Sequence, residues 1–547
     1  MKRFAILSIA VMLFAVVAAC EGMGGPRAPR GPVEMFITDT VTLPFTNKAT
    51  EYDVEDEDVS LDIHYLDDHV LPYVEVEPFV NLIEGAIVSA DIEITYDDYK
   101  VTLYLFIEYE EDEEYDDDEY ELVLDYERNS VTFNRFGFFS AISEATETDF
   151  GKGLSTFDYI STDPTSVTVD LFDYDLFLVK DQDMFLMPFH LANLFLSGSM
   201  YDVYYNGDHL YGVDSYQVSW TNTSLLTELT NSSLQGSEIP QALLEDNYNF
   251  MRFVFDYFYG LRPAPGVIDY NDVLDDAETD LMQSGMPHYV AIREAVRALD
   301  DLHSSPVSTG YYVAFDQNYV PWDPFRLSAD SRMRQFYQSM VYDIDRCYYG
   351  TSPAVTYNDA ETIAMVHIGG FSADTPDEFH DRLEAVEAKG TVEKVIVDLA
   401  CNTGGIIGTM FQTLGYMTDE PMPYHRMNTT DKSTASTWIE SENEAFDFEW
   451  YILASPVTYS AGNMMVQMAK EIGFATIIGE KTTGGASSVK TIISPTGAIF
   501  VISSTSVFTN EKYETLEFGV NVDTGWTLSR AQINSPSAVI ERVEQED

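Results

Sequence analysis

The sequence has few cysteines and few basic residues. Among its 547 residues are three cysteines, at positions 20, 347 and 401, and 29 Lys+Arg stand against 92 Asp+Glu. Three cysteines are too few for a disulfide framework, and their spacing offers no CxxC metal pair. The formal net charge of −63 would repel phosphate backbones, which excludes nucleic acid as a partner. With 45 % hydrophobic residues, the chain is not of the disordered type.

Long apolar runs are also missing, apart from one near the N-terminus. Lys2 and Arg3 precede the apolar run Phe4–Ala19, which ends in small residues immediately before Cys20. A stretch rich in glycine and proline follows as far as Pro32. This arrangement resembles a bacterial lipoprotein signal, and an ordinary signal peptide or a membrane anchor is the alternative.

The resemblance implies a lipid-anchored protein of the bacterial cell envelope. Residues 1–19 would be the signal peptide, Cys20 would carry the lipid, and residues 20–32 would form a tether. No later stretch approaches the ~18 apolar residues that a membrane-spanning helix needs. We therefore expect an extracytoplasmic protein whose only membrane contact is the lipid.

The region 33–235 is predicted to be rich in β-structure. Short runs with alternating apolar residues are typical of half-buried strands, and they occur at Val59–Tyr65, Val101–Ile107 and Glu121–Tyr126. Two further stretches, Leu71–Ile83 and Met184–Phe195, each read as a strand, a proline and a short helix. They are similar to the units of copper-amine-oxidase N-terminal-like domains, which suggests a weak internal duplication.

One acidic run in this region is a candidate cation site. It extends from Glu108 to Glu121, and carboxylates are the ligands that calcium prefers. Runs of like charge are more often solvated loops or hairpin tips. We predict a solvated loop and no metal.

The rest of the chain changes from helices to an alternation of strands and helices. Residues 240–358 form a helical lead-in, with apolar residues three and four apart in Asn249–Tyr259, Tyr270–Ser284 and Pro287–Leu302. Residues 359–535 alternate, which predicts an α/β domain with mostly parallel strands in a chain that is α+β as a whole. The predicted elements are Thr362–Ile368, Asp374–Lys389, Glu393–Leu399, Ile406–Met417, Trp450–Leu453, Ala461–Ile472 and Thr476–Ile478.

Two loops of this α/β region could carry chemistry. The strand at Val395–Leu399 runs into Asn402-Thr403-Gly404-Gly405, whose N–H groups could bind an oxyanion because glycine permits close approach. Ser460 follows a strand and precedes a helix, with Ala461 next to it. A serine there is usually an N-cap, and the alternative is a nucleophile activated by a base.

The two loops stand in a longer series of motifs. After them come Gly479-Glu480-Lys481-Thr482-Thr483-Gly484-Gly485 and Gly519-Val520-Asn521-Val522-Asp523, and before them Leu299-Asp300-Asp301-Leu302-His303-Ser304. Over residues 245–530 this order resembles the C-terminal-processing (tail-specific) serine peptidase family. The resemblance implies a crotonase-like peptidase core with Ser460 as the nucleophile and no metal or organic cofactor.

One position suggests the branch of that family. Its Ser-Lys members carry a lysine where this sequence has Gly485, and Lys481 lies on the other side of the loop. The sequence is more similar to the tricorn-core and retinoid-binding-protein-like branch. This implies His303 as the base and Glu517 as a supporting carboxylate, with Glu514 as the competing choice.

Some residues depart from the family's pattern. Ala400 stands at the usual arginine, Val522 at the proline and Leu302 at the small residue before the histidine. Cys401 could be read as a nucleophile, but a buried small hydrophobe is the preferred interpretation. Residues between Ser304 and Asp359 show no peptide-binding-domain pattern, so that module is expected to be missing or reduced.

The leading hypothesis is a lipid-anchored serine endopeptidase acting on a peptide or protein substrate. Ser460 would attack the peptide carbonyl, His303 would take its proton, and the N–H groups of Gly404 or Gly405 and of Ala461 would hold the oxyanion. A catalytically inactive relative that binds peptides or an apolar ligand is the second hypothesis. A third makes the β-rich region the functional part, as a module that binds cell wall or a partner.

Overall fold

The structure is a computed structural model that describes residues 31–67, 70–107, 118–144, 153–162, 164–261, 269–314, 323–350 and 352–546. The predicted signal peptide, Cys20, most of the tether and most of the acidic run after Glu108 lie outside these residues. Among the described residues, no helix is both long enough and apolar enough to span a bilayer.

The N-terminal part consists of two β-sheets with short helices. The first sheet has the strand order β10-β11-β3-β2-β1-β13-β12, and the second has the order β4-β5-β6-β7-β9. The strands are β1 (Ile37–Asn47), β2 (Ser60–Leu66), β3 (Tyr73–Glu75), β4 (Ile92–Asp97), β5 (Lys100–Ile107), β6 (Asp118–Asp125), β7 (Ser130–Phe133), β8 (Leu154–Ser161), β9 (Val167–Asp170), β10 (Val179–Asp181), β11 (Met184–Pro188), β12 (Tyr201–Tyr205) and β13 (Leu210–Asp214). The helices are α1 (Val76–Leu82), α2 (Phe138–Ala141), α3 (Phe189–Leu196) and α4 (Thr223–Leu229).

The two stretches with similar sequences form similar units that pair with each other. In the first, β3 leads into α1, and in the second β11 leads into α3. Strands β3 and β11 are antiparallel neighbours, with Val74 opposite Met187. Phe79 of α1 and Phe189 of α3 meet with their ring centroids 5.8 Å apart.

The middle of the chain is helical, as its periodicity predicts. It contains α5 (Gln241–Tyr257), α6 (Tyr270–Leu281), α7 (Met286–Ala298), β14 (Ser305–Ser308), α8 (Arg332–Gln338) and β15 (Val355–Tyr357). Helix α7 ends at Ala298, four residues before the predicted end at Leu302. Asp300 takes a left-handed conformation with φ of 52°, which a right-handed helix cannot continue. The segment with His303 is therefore a turn and not part of the helix.

The C-terminal part contains a mostly parallel sheet. Its strand order is β15-β16-β17-β20-β21, and only the β15–β16 pair is antiparallel. The strands are β16 (Ile363–His367), β17 (Lys394–Asp398), β18 (Met422–Asn428), β19 (Thr434–Ser441), β20 (Glu449–Ala454), β21 (Ala475–Gly479), β22 (Ser487–Ile493) and β23 (Ile499–Phe508). The helices are α9 (Thr375–Glu387), α10 (Ile407–Gly415), α11 (Ala461–Ile472), α12 (Arg530–Ile533) and α13 (Pro536–Glu544).

The predicted α+β class is confirmed, and the seven elements predicted after Asp359 agree with the structure within two residues at each end. Contacts nevertheless cross the predicted boundaries. Strand β8 pairs with β19, and β14 pairs with β23, in one sheet of order β14-β23-β18-β19-β8 with β22 beside β23. One apolar core contains buried residues from Met35 to Tyr312 together with residues between Ile492 and Ile502. The N-terminal region and the C-terminal core thus share a sheet and a core.

Candidate active site

Ser460 lies in a strained turn between β20 and α11. Its backbone has φ of 54° and ψ of −125°, a conformation that a residue with a Cβ adopts only when its surroundings enforce it. The Ser460 N–H donates to the Gly484 carbonyl at 2.9 Å. Within the same turn, Thr458 Oγ1 donates to the Leu399 carbonyl at 2.7 Å and Ser455 Oγ to the Ala400 carbonyl at 2.6 Å. These bonds hold the serine turn against the loop that follows β17.

His303 reaches Ser460 from the turn after α7. Its Nε2 lies 3.0 Å from Ser460 Oγ, within hydrogen-bonding distance for a general base. The carboxylate of Asp301 accepts the His303 backbone N–H at 3.0 Å and the Ser304 hydroxyl at 2.5 Å. The ring of Tyr459 lies 4.7 Å from the imidazole, centroid to centroid. The structure therefore brings together the predicted nucleophile and the predicted base.

The surroundings of His303 favour its neutral form. Burial lowers the pKa of the imidazole below its usual value, Asp301 opposes this effect, and Arg332 adds to it. A neutral imidazole can accept the serine proton, whereas an imidazolium cannot. For Nε2 to accept that proton, the ring hydrogen must be on Nδ1.

The glycine loop lies directly beside the serine. Gly404 and Gly405 have φ of 99° and 139°, and a Cβ on Gly404 would come within 2.6 Å of Ser460 Cβ. The Gly404 N–H donates to Asn402 Oδ1 at 2.8 Å. In the described part of the chain, the N–H groups of Gly405 and Ala461 have no acceptor. Of the three predicted oxyanion donors, these two are free to bind a substrate oxygen.

Glu517 lies in this region, but its carboxylate is held by other groups. The residue is 1 % exposed, its Oε1 lies 2.5 Å from Arg332 Nη2, and its Oε2 accepts the Ala486 N–H at 2.8 Å. Burial raises the pKa of Glu517, Arg332 lowers it, and Asp301 raises it further. Among the described residues, the buried Nδ1 of His303 has no hydrogen-bond partner.

The competing carboxylate lies at the surface. Glu514 is exposed, and its Oε2 accepts a hydrogen bond from Asn510 Nδ2 at 2.9 Å. A solvated carboxylate contributes little to the electrostatics of a buried imidazole. Of the two candidates, Glu517 is the buried one, and its main chain bonds to the Gly484–Gly485 loop that contacts Ser460.

No sequence motif indicates a role for Arg332, which belongs to the segment without a recognised pattern. Helix α8 begins at this residue, and its N-terminus is bound by Asp300. The Asp300 carboxylate accepts the Ser331 hydroxyl at 2.6 Å and the N–H groups of Arg332 and Met333 at 2.8 and 3.1 Å. The only sequence signal was Ser331, a residue type that favours the N-cap position.

The interpretation of Cys401 as a buried small hydrophobe is wrong. Cys401 forms a disulfide with Cys347, 54 positions earlier, with a Cα–Cα distance of 5.1 Å. Next to it, Arg346 forms two hydrogen bonds to the buried Asp398 carboxylate, at 2.7 and 2.8 Å. The sequence could not reveal this pair, because the fold and not the spacing brings the two cysteines together. As a disulfide, Cys401 is not an available thiol nucleophile.

Gly485, where the Ser-Lys members carry a lysine, is closely surrounded. It has φ of 80°, and a Cβ there would lie 2.3 Å from the Tyr459 ring. Lys481 is exposed, and Nε2 of His303 occupies the hydrogen-bonding position on Ser460 Oγ. The space beside the serine is filled by Tyr459 and His303.

Two other features could bind ligands. Within the described residues, one group of three side chains could hold a metal ion: His380, Asp381 and Glu384 on α9, with their ligand atoms within 4.8 Å of one another. A cavity of about 870 Å³ at the C-terminal end of α11 is lined by His425, Trp438 and Glu471 among others. Ser460 and His303 do not line this cavity.

Ser460 in its strained turn, His303 on its hydroxyl and the free N–H groups of the adjoining loops are the parts of a serine hydrolase site. Residues 362–525 match the model of peptidase family S41. This part of the chain is therefore similar to peptidase family S41. A comparison with curated proteins gives no match.

The solved structures that this chain matches are only distantly similar to it. They include a candidate peptidase from Parabacteroides merdae ATCC 43184, with 17 % identity, 55 % of this chain and 96 % of that chain covered, and a TM-score of 0.42. Mature CPAF has 11 % identity, 56 % and 96 % coverage, and a TM-score of 0.40. The tricorn protease has 11 % identity, 88 % and 62 % coverage, and a TM-score of 0.36. Similarity this low carries no argument about the site, which rests on its own geometry.

Proposed function

We propose that this protein is a serine endopeptidase of the Ser/His type, attached to the bacterial cell envelope by a lipid on Cys20. The observation that carries the proposal is the 3.0 Å distance between His303 Nε2 and Ser460 Oγ at the start of α11. The S41 match over residues 362–525 supports a peptide or protein as the substrate. Neither a metal nor an organic cofactor is needed for this chemistry.

The mechanism follows from the positions of the donors and acceptors. Ser460 Oγ attacks the carbonyl carbon while His303 Nε2 takes its proton and then gives it to the leaving amine. The N–H groups of Gly405 and Ala461 stabilise the negative charge on the carbonyl oxygen, and the N-terminus of α11 adds its dipole. Water then attacks the acyl-enzyme while His303 takes its proton, and His303 returns this proton to Ser460 Oγ as the second product leaves.

The lipid anchor and the extracytoplasmic location have two supports. The first is the apolar run Phe4–Ala19 followed by Cys20. The second is the Cys347–Cys401 disulfide, since disulfides persist mainly in oxidising compartments outside the cytosol. Expression of Cys20→Ala should move the protein from the membrane fraction to the soluble fraction, and continued membrane association would contradict the lipoprotein assignment.

One observation favours a second function, that of a peptide-binding protein without peptidase activity. The Glu517 carboxylate is bound to Arg332 and to the Ala486 N–H, and Nδ1 of His303 has no described partner. In serine hydrolases a third group usually orients the histidine through that nitrogen. A protein of this second type would bind peptides without forming an acyl-enzyme.

Labelling with a fluorophosphonate probe separates the two functions. We expect the mature wild-type protein to be labelled at Ser460 and to cleave a denatured protein substrate, and the Ser460→Ala variant to do neither. Ser224→Ala is a useful control because Ser224 is an exposed serine on α4, away from the serine turn, so its loss should leave labelling in place. Peptide binding without labelling of the wild type would favour the inactive binding protein.

A further inference from the structure

Arg332 connects the supporting carboxylate with the segment that carries the base. Its Nη2 contacts both Glu517 Oε1, at 2.5 Å, and the Glu517 carbonyl, at 3.1 Å, and its guanidinium lies 5.1 Å from the centre of the Phe518 ring. The Arg332 side chain is 19 % exposed and that of Glu517 is 1 % exposed. A charge pair this far from water contributes strongly to the local potential.

The position of Arg332 is fixed from two sides. On one side, Asp300 binds the N-terminus of α8 through Ser331, Arg332 and Met333, and Asp300 is three residues from His303. On the other side, Phe336 of the same helix packs on the ring of Tyr459, with centroids 5.8 Å apart. The helix therefore contacts the neighbours of the base and of the nucleophile.

We propose that Arg332 is a positioning residue for the peptidase reaction, holding Glu517 as a buried carboxylate against the loop whose Gly484 carbonyl accepts the Ser460 N–H. The inference rests on the proposed function. Glu517 cannot keep a negative charge in a nearly dry site without a cation, since burying an unpaired charge is costly. Because Arg332 also contacts the Glu517 main chain, it fixes the place of this carboxylate as well as its charge.

The charged groups around Glu517 and His303 determine how the pH dependence of activity should change when Arg332 is replaced. Arg332 lowers the pKa of Glu517 and Asp301 raises it, while the Ala486 N–H stabilises the carboxylate. Arg332 also lowers the pKa of His303, and Asp301 raises it. Of the facing phenols, Tyr459 and Tyr259 have pKa values raised by burial, so they stay neutral. Loss of the Arg332 charge would raise the pKa values of Glu517 and His303. The acid limb of the activity profile would therefore move to higher pH.

The test compares Arg332→Gln with Arg332→Lys and with Arg334→Gln. Arg334 is a matched control because it lies on the same helix and its guanidinium binds the Leu327 carbonyl at 2.7 Å, with no contact to Glu517. For Arg332→Gln we expect kcat to fall about 10- to 100-fold with KM little changed. We also expect the acid limb of kcat to move up by roughly one pH unit. Arg332→Lys should restore the acid limb and part of kcat.

Fluorophosphonate labelling of the wild type, and circular dichroism of all variants, accompany these assays. An Arg332→Gln variant that keeps its fold, kcat and pH profile while the wild type is labelled and active would overturn the inference alone. Equal losses in Arg332→Gln and Arg334→Gln, without a shift of the acid limb, would also overturn it, because they indicate a structural role for the helix. A wild type that is neither labelled nor active would overturn the proposed function and this inference with it.

Discussion

The candidate site has two parts, the loops that carry the reactive groups and the segment that holds them in place, and a sequence motif marks only the first. The serine turn and the glycine loop are short segments at the ends of strands, where a glycine pair or a serine before a helix already suggests a chemical role. The segment from Ser331 to Cys347 contacts the site through Arg332, Arg346 and Cys347, yet it shows no motif. Reactive groups can therefore be recognised from short segments, whereas the groups that hold them in place are defined by contacts between positions distant in sequence.

The largest expected effects test the recognised part of the site. Ser460→Ala and His303→Ala should each lower kcat by about 10⁴-fold or more, because the nucleophile and its base act as one unit. Lys481→Ala should change kcat less than about twofold, since that side chain is exposed and surface changes away from the chemistry have small effects. Hydrolysis of a peptide substrate measures all three, and the reverse ranking of His303→Ala and Lys481→Ala would indicate a Ser-Lys mechanism.

The glycine loop gives the next largest effect. A Cβ on Gly405 would lie 2.1 Å from the Phe371 carbonyl oxygen, so Gly405→Ala must displace the loop and its N–H. Loss of one oxyanion donor typically lowers kcat by about 100-fold or more. The control is Gly390→Ala, which has a positive φ of 66° but open space around the added Cβ. Equal kcat values for Gly405→Ala and the wild type would show that this N–H does not bind the oxyanion.

Local sequence patterns predict some elements of the structure and miss others. Seven of the strands and helices after Asp359 follow from hydrophobic periodicity, which is a local property, whereas β18, β19, β22, β23, α12 and α13 were not predicted. The predicted end of α7 at Leu302 lies beyond the observed end because the left-handed conformation of Asp300 does not alter the pattern of apolar residues. The partner of Cys401 and the contact of Arg332 with Glu517 required the folded chain, as did the pairing of β8 with β19, since each joins positions far apart in the sequence.

The part of the site that the sequence did not reveal can be tested through stability. The double variant Cys347→Ser/Cys401→Ser lacks the cross-link between positions with a sequence separation of 54. The entropy that this cross-link removes from the unfolded chain corresponds to about 4 kcal/mol of stability. We expect the free energy of unfolding in urea to fall by up to this amount. Wild-type protein unfolded with a dithiol reductant should behave like the variant. A midpoint that responds to neither change would show that the disulfide does not stabilise the native state.

The smallest predicted effect concerns a half-buried carboxylate that forms no ion pair with the described residues, in contrast to Glu517 with Arg332. Asp246 lies on α5, and among the described residues its buried Oδ2 has no hydrogen-bond partner. Burial raises its pKa to about 7, with Glu245 and Asp175 adding to the shift. The folded state therefore holds a proton that the unfolded chain releases near its ordinary pKa of about 3.9.

The sign of the resulting pH dependence follows from that difference. Between about pH 4 and pH 7 the unfolded state binds fewer protons than the folded state, so this group lowers stability as the pH rises. Asp246→Asn removes the titration, and we expect it to raise the free energy of unfolding at pH 8 by on the order of 2 kcal/mol, with little change at pH 4. Asp276→Asn, at an exposed position of α6, is the control. Equal responses of the two variants in urea unfolding at both pH values would mean that relief of the overall negative charge, and not the burial of Asp246, causes the effect.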